Sequence, residues 1–222
     1  VEPILQGAEG MRLYTPAFLR AAREVCDAHD ALLVADEVFT GYGRTGTFWA
    51  VEHAAISPDI LATAKGFSGG MLPMAATLAS DRVFDAFLGP PDAAFFYGHS
   101  FCGNPLGARV ALEVLRVFDD ERVLEGVAVR AKMIAEAFAP LSDIPGCRDA
   151  RAIGMMGAVD LGGGGYLGEA GWRAHERARE LGAFLRPLGD TVYVPPPLNI
   201  PLPDLEELLA IVSASVLFAT NS

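Results

Sequence analysis

Two continuous apolar runs, each ending in a charged residue, constrain this chain more than any other feature. The first run covers residues 31–35 and leads to Asp36, and the second covers residues 60–64 and leads to Lys65. Runs of this length and apolarity are typical of strands buried on both faces of a parallel sheet. Ligands of such sheets bind beyond the carboxyl ends of the strands. We therefore expect Asp36 and Lys65 to lie at one ligand-binding edge.

The lysine after the second run is an unusual residue for a buried strand end. The chain contains only two lysines, Lys65 and Lys132, against fifteen arginines. Burial favours the neutral amine, which attacks carbonyl groups and forms Schiff bases. A pyridoxal phosphate enzyme needs such a lysine and an acid that keeps the pyridine nitrogen protonated. Lys65 and Asp36 meet both needs, although a snorkelling lysine and a loop-capping aspartate also fit the pattern.

Several segments resemble the class III aminotransferases, the fold-type I group that is also called omega-aminotransferases. They are DEVFTGYGRTG at residues 36–46, SPDI at 57–60 with AKG at 64–66, and GHSFCGNPL at 98–106. The resemblance covers nearly the whole chain. It implies an α/β fold, made of part of the large, mostly parallel-sheet domain and the small C-terminal α+β domain. It also implies pyridoxal 5'-phosphate as the cofactor.

Further segments resemble one branch of this family, an aminotransferase of biotin synthesis. They are residues 1–8, residues 69–78, and residues 185–188 followed by three prolines at 195–197. This likeness implies amino transfer from S-adenosylmethionine to 8-amino-7-oxononanoate, giving 7,8-diaminononanoate. Another class III enzyme, acting on 4-aminobutyrate, ornithine or a similar ω-amine, is the alternative. Because the family has a longer chain, we expect this sequence to be its C-terminal part, which leaves a non-catalytic fragment open as well.

The resemblance also assigns roles around the cofactor. It implies that Lys65 holds the cofactor as a Schiff base and that Asp36 pairs with the pyridinium nitrogen. Val38, two residues further and on the same side of the strand, is expected to pack on the ring face. His99 and Ser100 stand in the family's phosphate-contacting segment, with Gly98 beside the substrate. That segment reaches the cofactor of the partner subunit in the family, so the resemblance implies a homodimer with shared active sites.

Two arginines are candidates for binding the carboxylate of a small-molecule substrate. Arginine binds a carboxylate through two parallel hydrogen bonds. Arg186 lies between an apolar segment and Pro187, where a free surface charge is less expected, and Arg44 lies in the glycine-spaced loop. Either could also be an ordinary solvated arginine.

Composition excludes several other classes of function. The formal net charge is −11, which argues against a nucleic-acid partner because phosphates would be repelled. The longest apolar stretch, near residues 208–219, is too short to span a bilayer, and no signal peptide is visible. Three irregularly spaced cysteines suggest reduced thiols and a cytoplasmic protein. Cys102 near His99 does not make a metal site.

The remaining pattern predicts alternating helices and strands, with a domain boundary at Pro145-Gly146. Residues 1–144 would form the C-terminal part of the large cofactor-binding domain, and residues 145–222 the small one. Capping residues predict helices that start after Thr15 and after Asn104. The other predicted elements are strands at 74–79, 153–161, 183–185 and 191–194, and helices at 81–87, 120–139, 172–181 and from about 204.

One glycine pattern resembles a nucleotide-binding motif. Gly163, Gly165 and Gly168 match G-x-G-x-x-G between a predicted strand and a predicted helix. A run of four glycines without a clear acidic residue downstream is more simply a surface loop. We therefore interpret this segment as a loop and not as a dinucleotide site.

Overall fold

The computed structural model of the chain describes residues 1–221. It divides into two compact units. Unit 1 comprises residues 1–4, 14–42 and 47–122, and unit 2 comprises residues 5–13, 43–46 and Val123 onward. Unit 2 therefore begins before the boundary predicted at Pro145-Gly146, because the helix before that point packs with the C-terminal strands and helix.

The described residues form strands and helices that do not strictly alternate along the chain. The strands are β1 (Leu5–Gln6), β2 (Arg12–Leu13), β3 (Val34–Asp36), β4 (Ile60–Thr63), β5 (Ala76–Ala79), β6 (Cys147–Ile153), β7 (Met156–Leu161) and β8 (Thr191–Val194). The α-helices are α1 (Pro16–Ala28), α2 (Asp81–Asp85), α3 (Pro105–Asp120), α4 (Val123–Phe138), α5 (Ala170–Glu180) and α6 (Leu202–Asn221). Within residues 1–221, no helix has both the length and the apolar character needed to cross a bilayer.

Unit 1 contains a three-stranded sheet in the order β3-β4-β5. β3 pairs with β4 in parallel, and β5 pairs with β4 antiparallel. β3 begins at Val34, later than the apolar run predicted. Val34 pairs with Ile60, the first residue of β4. One residue earlier, the N–H of Leu33 donates to the Asp59 carboxylate at 2.7 Å, so it is not available to a strand ladder.

The expectation that β3 is buried on both faces is wrong. Ala35 is fully buried, but Val34 and Asp36, which point to the opposite face, are exposed. β4 alternates between half-buried and buried residues. One face of β3 is thus open in the described chain.

Two predicted helix starts are confirmed by their caps. The Thr15 side chain accepts a hydrogen bond from the N–H of Phe18, and Pro16 is the first residue of α1. The Asn104 side chain accepts from the N–H of Leu106, and Pro105 is the first residue of α3. In both helices a side-chain oxygen satisfies a backbone donor that the helix leaves free, and proline occupies a position that needs no donor.

Unit 2 contains an antiparallel sheet in the order β6-β7-β8, with α4, α5 and α6 packed around it. The strand predicted at 153–161 corresponds to β7, which starts at Met156, whereas β6 before it was not predicted and is joined to β7 by a turn. The turn is at Gly154, whose φ is +52°, and a Cβ there would lie 2.3 Å from the backbone of Thr45. Only glycine combines this conformation with so close a contact.

Two other predicted boundaries moved for backbone reasons. α4 starts at Val123 and not at residue 120, because Arg122 has a φ of +49° that ends the preceding helix. The strand predicted at 183–185 is absent. Ala183 N–H instead donates to Ala178 at the end of α5, and the Leu185 carbonyl lies 2.5 Å from Nδ1 of His175.

The glycine loop at 162–168 closes around a carboxylate of the chain itself. Asp190 is buried and accepts hydrogen bonds from the N–H groups of Gly164 at 2.6 Å and Ala170 at 3.1 Å. Ala170 is the first residue of α5, where a bound phosphate would sit in a dinucleotide fold. A Cβ on Gly168 would lie 2.0 Å from the Asp190 carboxylate. The glycines therefore make room for Asp190.

We predict that Asp190→Asn lowers the free energy of unfolding by about 1–3 kcal/mol, because the two hydrogen bonds lose their charged acceptor. Chemical denaturation at neutral pH measures the loss. Asp143→Asn is the control, since Asp143 is an exposed acid of the same unit. Equal stability of the two variants would contradict the role given to Asp190.

Candidate active site

Asp36 and Lys65 lie at the same edge of the unit 1 sheet. β3 and β4 are parallel, and Asp36, the last residue of β3, pairs with Ala62 in β4. Lys65 follows three residues later and begins the 3₁₀ helix Lys65–Ser68. Because parallel strands end at the same edge, the carboxylate and the amine share the carboxyl edge, where ligands of such sheets bind.

The Asp36 carboxylate keeps acceptor capacity for a ligand. Its side chain is exposed, and Oδ1 accepts one hydrogen bond, from the N–H of Val38 at 3.0 Å. Within residues 1–221 the carboxylate forms no ion pair. Val38 is half-buried and lies in the turn after β3, so the expectation that it continues the strand is wrong.

Lys65 is exposed, so the expectation of a buried lysine is wrong. Its backbone has a φ of +40°, an uncommon conformation for a residue with a side chain. The Nζ atom lies 5.0 Å from the centroid of the Phe39 ring. No carboxylate of the described chain pairs with this amine, which is thus accessible for chemistry.

Aromatic side chains fix the backbone that follows Lys65. A Cβ on Gly66 would lie 2.7 Å from the Cβ of Tyr42, so glycine is required where the two loops meet. Tyr42 is buried, and its ring belongs to a cluster in unit 1 with Phe48, Trp49, Phe67 and Phe118. This packing holds the start of the 3₁₀ helix in place.

Glu37 anchors the turn between Asp36 and Phe39. Its side chain is fully buried, and its carboxylate accepts from the Thr40 hydroxyl at 2.5 Å and from the N–H of Val51 at 2.9 Å. Burial raises the pKa of Glu37 above its ordinary value, and the hydrogen bonds from Thr40, Val51 and Ala50 oppose the rise. The turn is therefore tied to the 3₁₀ helix Ala50–Ala54 by a carboxylate that has no cationic partner among the described residues.

The segment from Gly98 to Ser100 is exposed on unit 1. It lies between the 3₁₀ helix Pro91–Ala93 and α3. Nδ1 of His99 accepts from the N–H of Phe101 at 3.1 Å, and the Ser100 side chain makes no hydrogen bond in the described chain. The Ser100 hydroxyl therefore has its donor and acceptor free.

Arg44 is engaged by unit 2 itself. Nη1 donates to the carbonyl oxygens of Met155 at 2.9 Å and Pro196 at 2.8 Å. Burial lowers the pKa of Arg44 to about 10, so the guanidinium stays charged at neutral pH. One arm of the guanidinium is committed to backbone carbonyls, and substrate binding by Arg44 stays a prediction.

Arg186 lines a pocket of about 350 Å³ in unit 2. The side chain is exposed, and it makes no ion pair with any described residue. The other lining residues are mostly apolar and come from the segment before β8, from its end with the three prolines, and from α6. A cation beside apolar walls suits a carboxylate on an apolar chain.

Comparison with known proteins shows to which family the chain belongs. The model of the family Aminotransferase class-III matches residues 1–216. The chain belongs to the class III aminotransferases. Two relatives are named adenosylmethionine-8-amino-7-oxononanoate aminotransferase. The protein of Nitratidesulfovibrio vulgaris is 41% identical over 100% of this chain and 42% of its own, and that of Geobacter sulfurreducens is 41% identical over 94% and 48%. The chain thus spans about half the length of these curated relatives.

Solved structures give the same family and fold. The aminotransferase of that name from Methanocaldococcus jannaschii superimposes with a TM-score of 0.91 at 30% identity, covering 97% of this chain and 52% of its own. Ornithine aminotransferase of Plasmodium yoelii gives 0.87 at 31%, covering 99% and 57%. An amine transaminase from an uncultivated Pseudomonas species, solved with pyridoxal phosphate bound, gives 0.90 at 30%, covering 98% and 51%.

Family membership confirms the fold-type I α/β class and implies pyridoxal 5'-phosphate as the cofactor of this class III chain. The side chains at the sheet edge fit that group by their chemistry. Asp36 offers an anion for the pyridine N–H, and Lys65 offers an accessible amine for the carbonyl carbon of the cofactor. The residues present in this class III chain therefore suit the cofactor.

Three residues of the candidate site were not predicted from the sequence. Glu37, Phe39 and Tyr42 were part of the motif, but no role was assigned to them. A signal existed for Glu37, since an acidic residue next to Asp36 and inside an apolar environment needs partners. For Phe39 and Tyr42 there was none, because their contacts with Lys65 and Gly66 come from the fold.

Glu37 predicts a pH dependence of stability for this class III chain. The pKa of Glu37 is higher in the folded state than in the unfolded state. Between these two pKa values the folded state binds more protons than the unfolded state. The free energy of unfolding therefore falls as the pH rises through this range. Glu37→Gln removes this contribution. The stability of the variant relative to wild type should therefore increase from about pH 4 upward.

Denaturation across this pH range measures the difference. Glu24→Gln, on the exposed surface of α1, is the control and should show a constant difference from wild type. A constant difference for Glu37→Gln as well would reject the raised pKa.

Proposed function

We propose that this chain holds pyridoxal phosphate through Lys65 and Asp36 in an aminotransferase of biotin biosynthesis. The proposed reaction is amino transfer from S-adenosylmethionine to 8-amino-7-oxononanoate, giving 7,8-diaminononanoate. The observation that carries the proposal is the common carboxyl edge of Asp36 and Lys65 on the parallel pair β3 and β4. The names of the two relatives at 41% identity support the choice of substrates.

Asp36 would keep the cofactor ring protonated. The bound cofactor supplies an electron sink for the carbanion that forms at the substrate carbon. A carboxylate beside the pyridine nitrogen favours the protonated form, because opposite charges at close range attract. The Val38 N–H holds Oδ1 of Asp36, which fixes the direction of the carboxylate, and the Val38 side chain is proposed to cover the ring face.

Lys65 would have two tasks. Its amine is proposed to hold the cofactor covalently. Because Lys65 is exposed, its amine can reach the carbonyl carbon of the cofactor. Its free amine would also act as a general base at the substrate carbon and take up the proton that is lost there. The packing of Gly66 against Tyr42 keeps the backbone of this lysine still while the side chain moves.

We propose that two copies of the chain form a homodimer in which Ser100 and His99 contact the phosphate of the partner's cofactor, with Gly98 beside the substrate. The support is the exposure of this segment. Phe96 is 88% exposed, Phe101 79% and Tyr97 76%, whereas the surfaces of monomers rarely carry so many large apolar side chains together. A second copy would cover them.

Arg186 is proposed to bind the carboxylate of the acceptor. 8-Amino-7-oxononanoate carries this group at the end of an apolar chain, and the Arg186 pocket pairs a free guanidinium with apolar walls. Arginine suits the task because its planar fork can donate two parallel hydrogen bonds. The substrate role of Arg44 is the alternative, with Nη2 and Nε left to donate.

A second candidate is a class III aminotransferase that acts on ornithine, 4-aminobutyrate or another ω-amine. The similarity to an ornithine aminotransferase at 31% identity favours keeping it. A screen of amino donors separates the two functions. Conversion with S-adenosylmethionine supports the first, and conversion with ornithine or 4-aminobutyrate alone supports the second.

We predict that Lys65→Ala abolishes covalent attachment of pyridoxal phosphate. Wild-type chain would be incubated with the cofactor, reduced with borohydride and digested, and the labelled lysine identified by mass spectrometry. The label should appear at Lys65, because its amine is accessible and unpaired. Lys132→Ala is the matched control and should keep the label, since Lys132 is the other lysine of the chain.

Labelling of both lysines to the same extent would mean unspecific surface reaction and would reject Lys65 as the attachment site. Absence of any label would favour a chain that folds without holding the cofactor.

We predict that Arg186→Ala weakens acceptor binding by about 1.5–3 kcal/mol, the usual contribution of a hydrogen bond to a charged group. The donor half-reaction should be less affected. Rapid-mixing kinetics of the two half-reactions, measured separately on the cofactor-loaded protein, give both values. Arg148→Ala, a second exposed arginine of unit 2, is the control.

Arg186→Lys should restore only part of the binding, because an ammonium lacks the planar fork. Equal losses in both half-reactions would mean that Arg186 supports the fold or the cofactor and does not bind the acceptor carboxylate.

A further inference from the structure

We propose that Phe39 is a positioning residue for Lys65. Its ring holds the ammonium group of Lys65 at the carboxyl edge of the sheet until the amine reacts. The proposal rests on the proposed role of Lys65, and it adds a residue to which no role follows from the motif.

The contact between the two side chains has the geometry of a cation–π interaction. Nζ of Lys65 lies 5.0 Å from the centroid of the Phe39 ring, within the range of about 6 Å at which the ring quadrupole attracts a cation. Lys65 makes no hydrogen bond or ion pair with another residue of the described chain. The ring is therefore what determines where the resting ammonium lies.

The ring itself is held in place by the turn after β3. The Glu37 carboxylate accepts from Thr40 and Val51, and the N–H of Gly41 donates to the Glu37 carbonyl at 3.1 Å. Phe39 lies between these anchored residues and is half-buried. Its ring thus presents a fixed surface to a flexible side chain.

The backbone of Lys65 is fixed as well. Its φ of +40° and the packing of Gly66 on Tyr42 set the direction in which the side chain leaves the loop. An exposed lysine otherwise samples many rotamers, and ordering it carries an entropic cost. A ring contact at rest reduces that cost, because the amine already lies beside the sheet edge.

Other charged groups do not explain the position of the amine. The titratable residues on the adjoining segments are Asp36, Glu37 and Tyr42. Asp36 accepts from Val38 N–H, Glu37 is buried and bonded to Thr40 and Val51, and Tyr42 is buried in the aromatic cluster. None of the three forms an ion pair or hydrogen bond with Lys65 in the part of the chain that the structure describes.

The proposal predicts in which direction the reactivity of the Lys65 amine changes when the ring is removed. The ring stabilises the ammonium and not the neutral amine, which is the form that reacts with acylating reagents. Removing the ring should therefore make Lys65 react faster with such a reagent. The free energy of an exposed cation–π contact corresponds to roughly a two- to fivefold change in the labelling rate.

The test uses the chain without cofactor and three proteins: wild type, Phe39→Leu and Phe39→Tyr. Each is labelled with a limiting acylating reagent between about pH 7 and pH 11, the range in which a lysine titrates. The labelled fractions of Lys65 and Lys132 are read from their peptides by mass spectrometry. Lys132 is an internal control, since it is exposed and lies 3.7 Å from Glu136.

We expect Lys65 in Phe39→Leu to be labelled about two- to fivefold faster than in wild type. Phe39→Tyr should behave like wild type, because tyrosine keeps the ring face. Lys132 should react equally in all three proteins. An unchanged ratio of Lys65 to Lys132 in Phe39→Leu would overturn the proposal.

A second measurement uses wild-type chain alone and so does not depend on the folding of a variant. Reductive methylation with ¹³C-formaldehyde labels both lysines, and the Lys65 methyl signal should be shifted upfield of the Lys132 signal by the ring current of Phe39. Coincident signals would overturn the proposal. Because no cofactor is present, a shifted signal combined with no cofactor attachment at Lys65 would support the ring contact and reject the proposed function.

Discussion

The parallel pairing of β3 with β4 is the constraint on which the rest of the site depends. It sets Asp36 opposite Ala62, and the chain then needs only the step through Ala64 to bring Lys65 to the same edge. In an antiparallel pair the two strand ends would lie at opposite edges, and the anion and the amine would be separated by the length of the strands. Two residues that are far apart in sequence thus lie at the same sheet edge because the two short strands run in the same direction.

The loop after β3 gives this edge its rigidity. Buried Glu37 ties the turn to the N–H of Val51, and Gly41 passes so close to Trp49 that a Cβ would lie 2.7 Å from its ring. Tyr42 then packs on Gly66, beside Lys65. A buried carboxylate without a cation is a costly anchor, since burial raises its pKa and disfavours its charge. The hydrogen bonds that offset the cost are the same ones that fix the turn.

The sequence was informative where a property is local or common to a family. The caps at Thr15 and Asn104 could be predicted because a capping side chain bonds within its own helix start. The parallel edge could be predicted from apolar runs and their charged ends. The exposure of Lys65 could not, because burial depends on which segments cover a face. The turn at Gly154 also depends on a distant segment, residues 44–46, whose backbone leaves no room for a Cβ.

Asp36 and Asp190 show why a motif needs its hydrogen bonds before its chemistry can be assigned. Both are aspartates beside a strand, and a carboxylate offers about four acceptor positions. Asp190 is buried and takes two backbone donors inside the glycine loop, at the helix end that would otherwise attract a phosphate. Asp36 takes one backbone donor and stays exposed. The fold therefore satisfies the first carboxylate internally and leaves the second able to receive a proton donor from a ligand. The nucleotide pattern in this chain is structural for that reason, whereas Asp36 keeps the acceptor capacity that a cofactor would need.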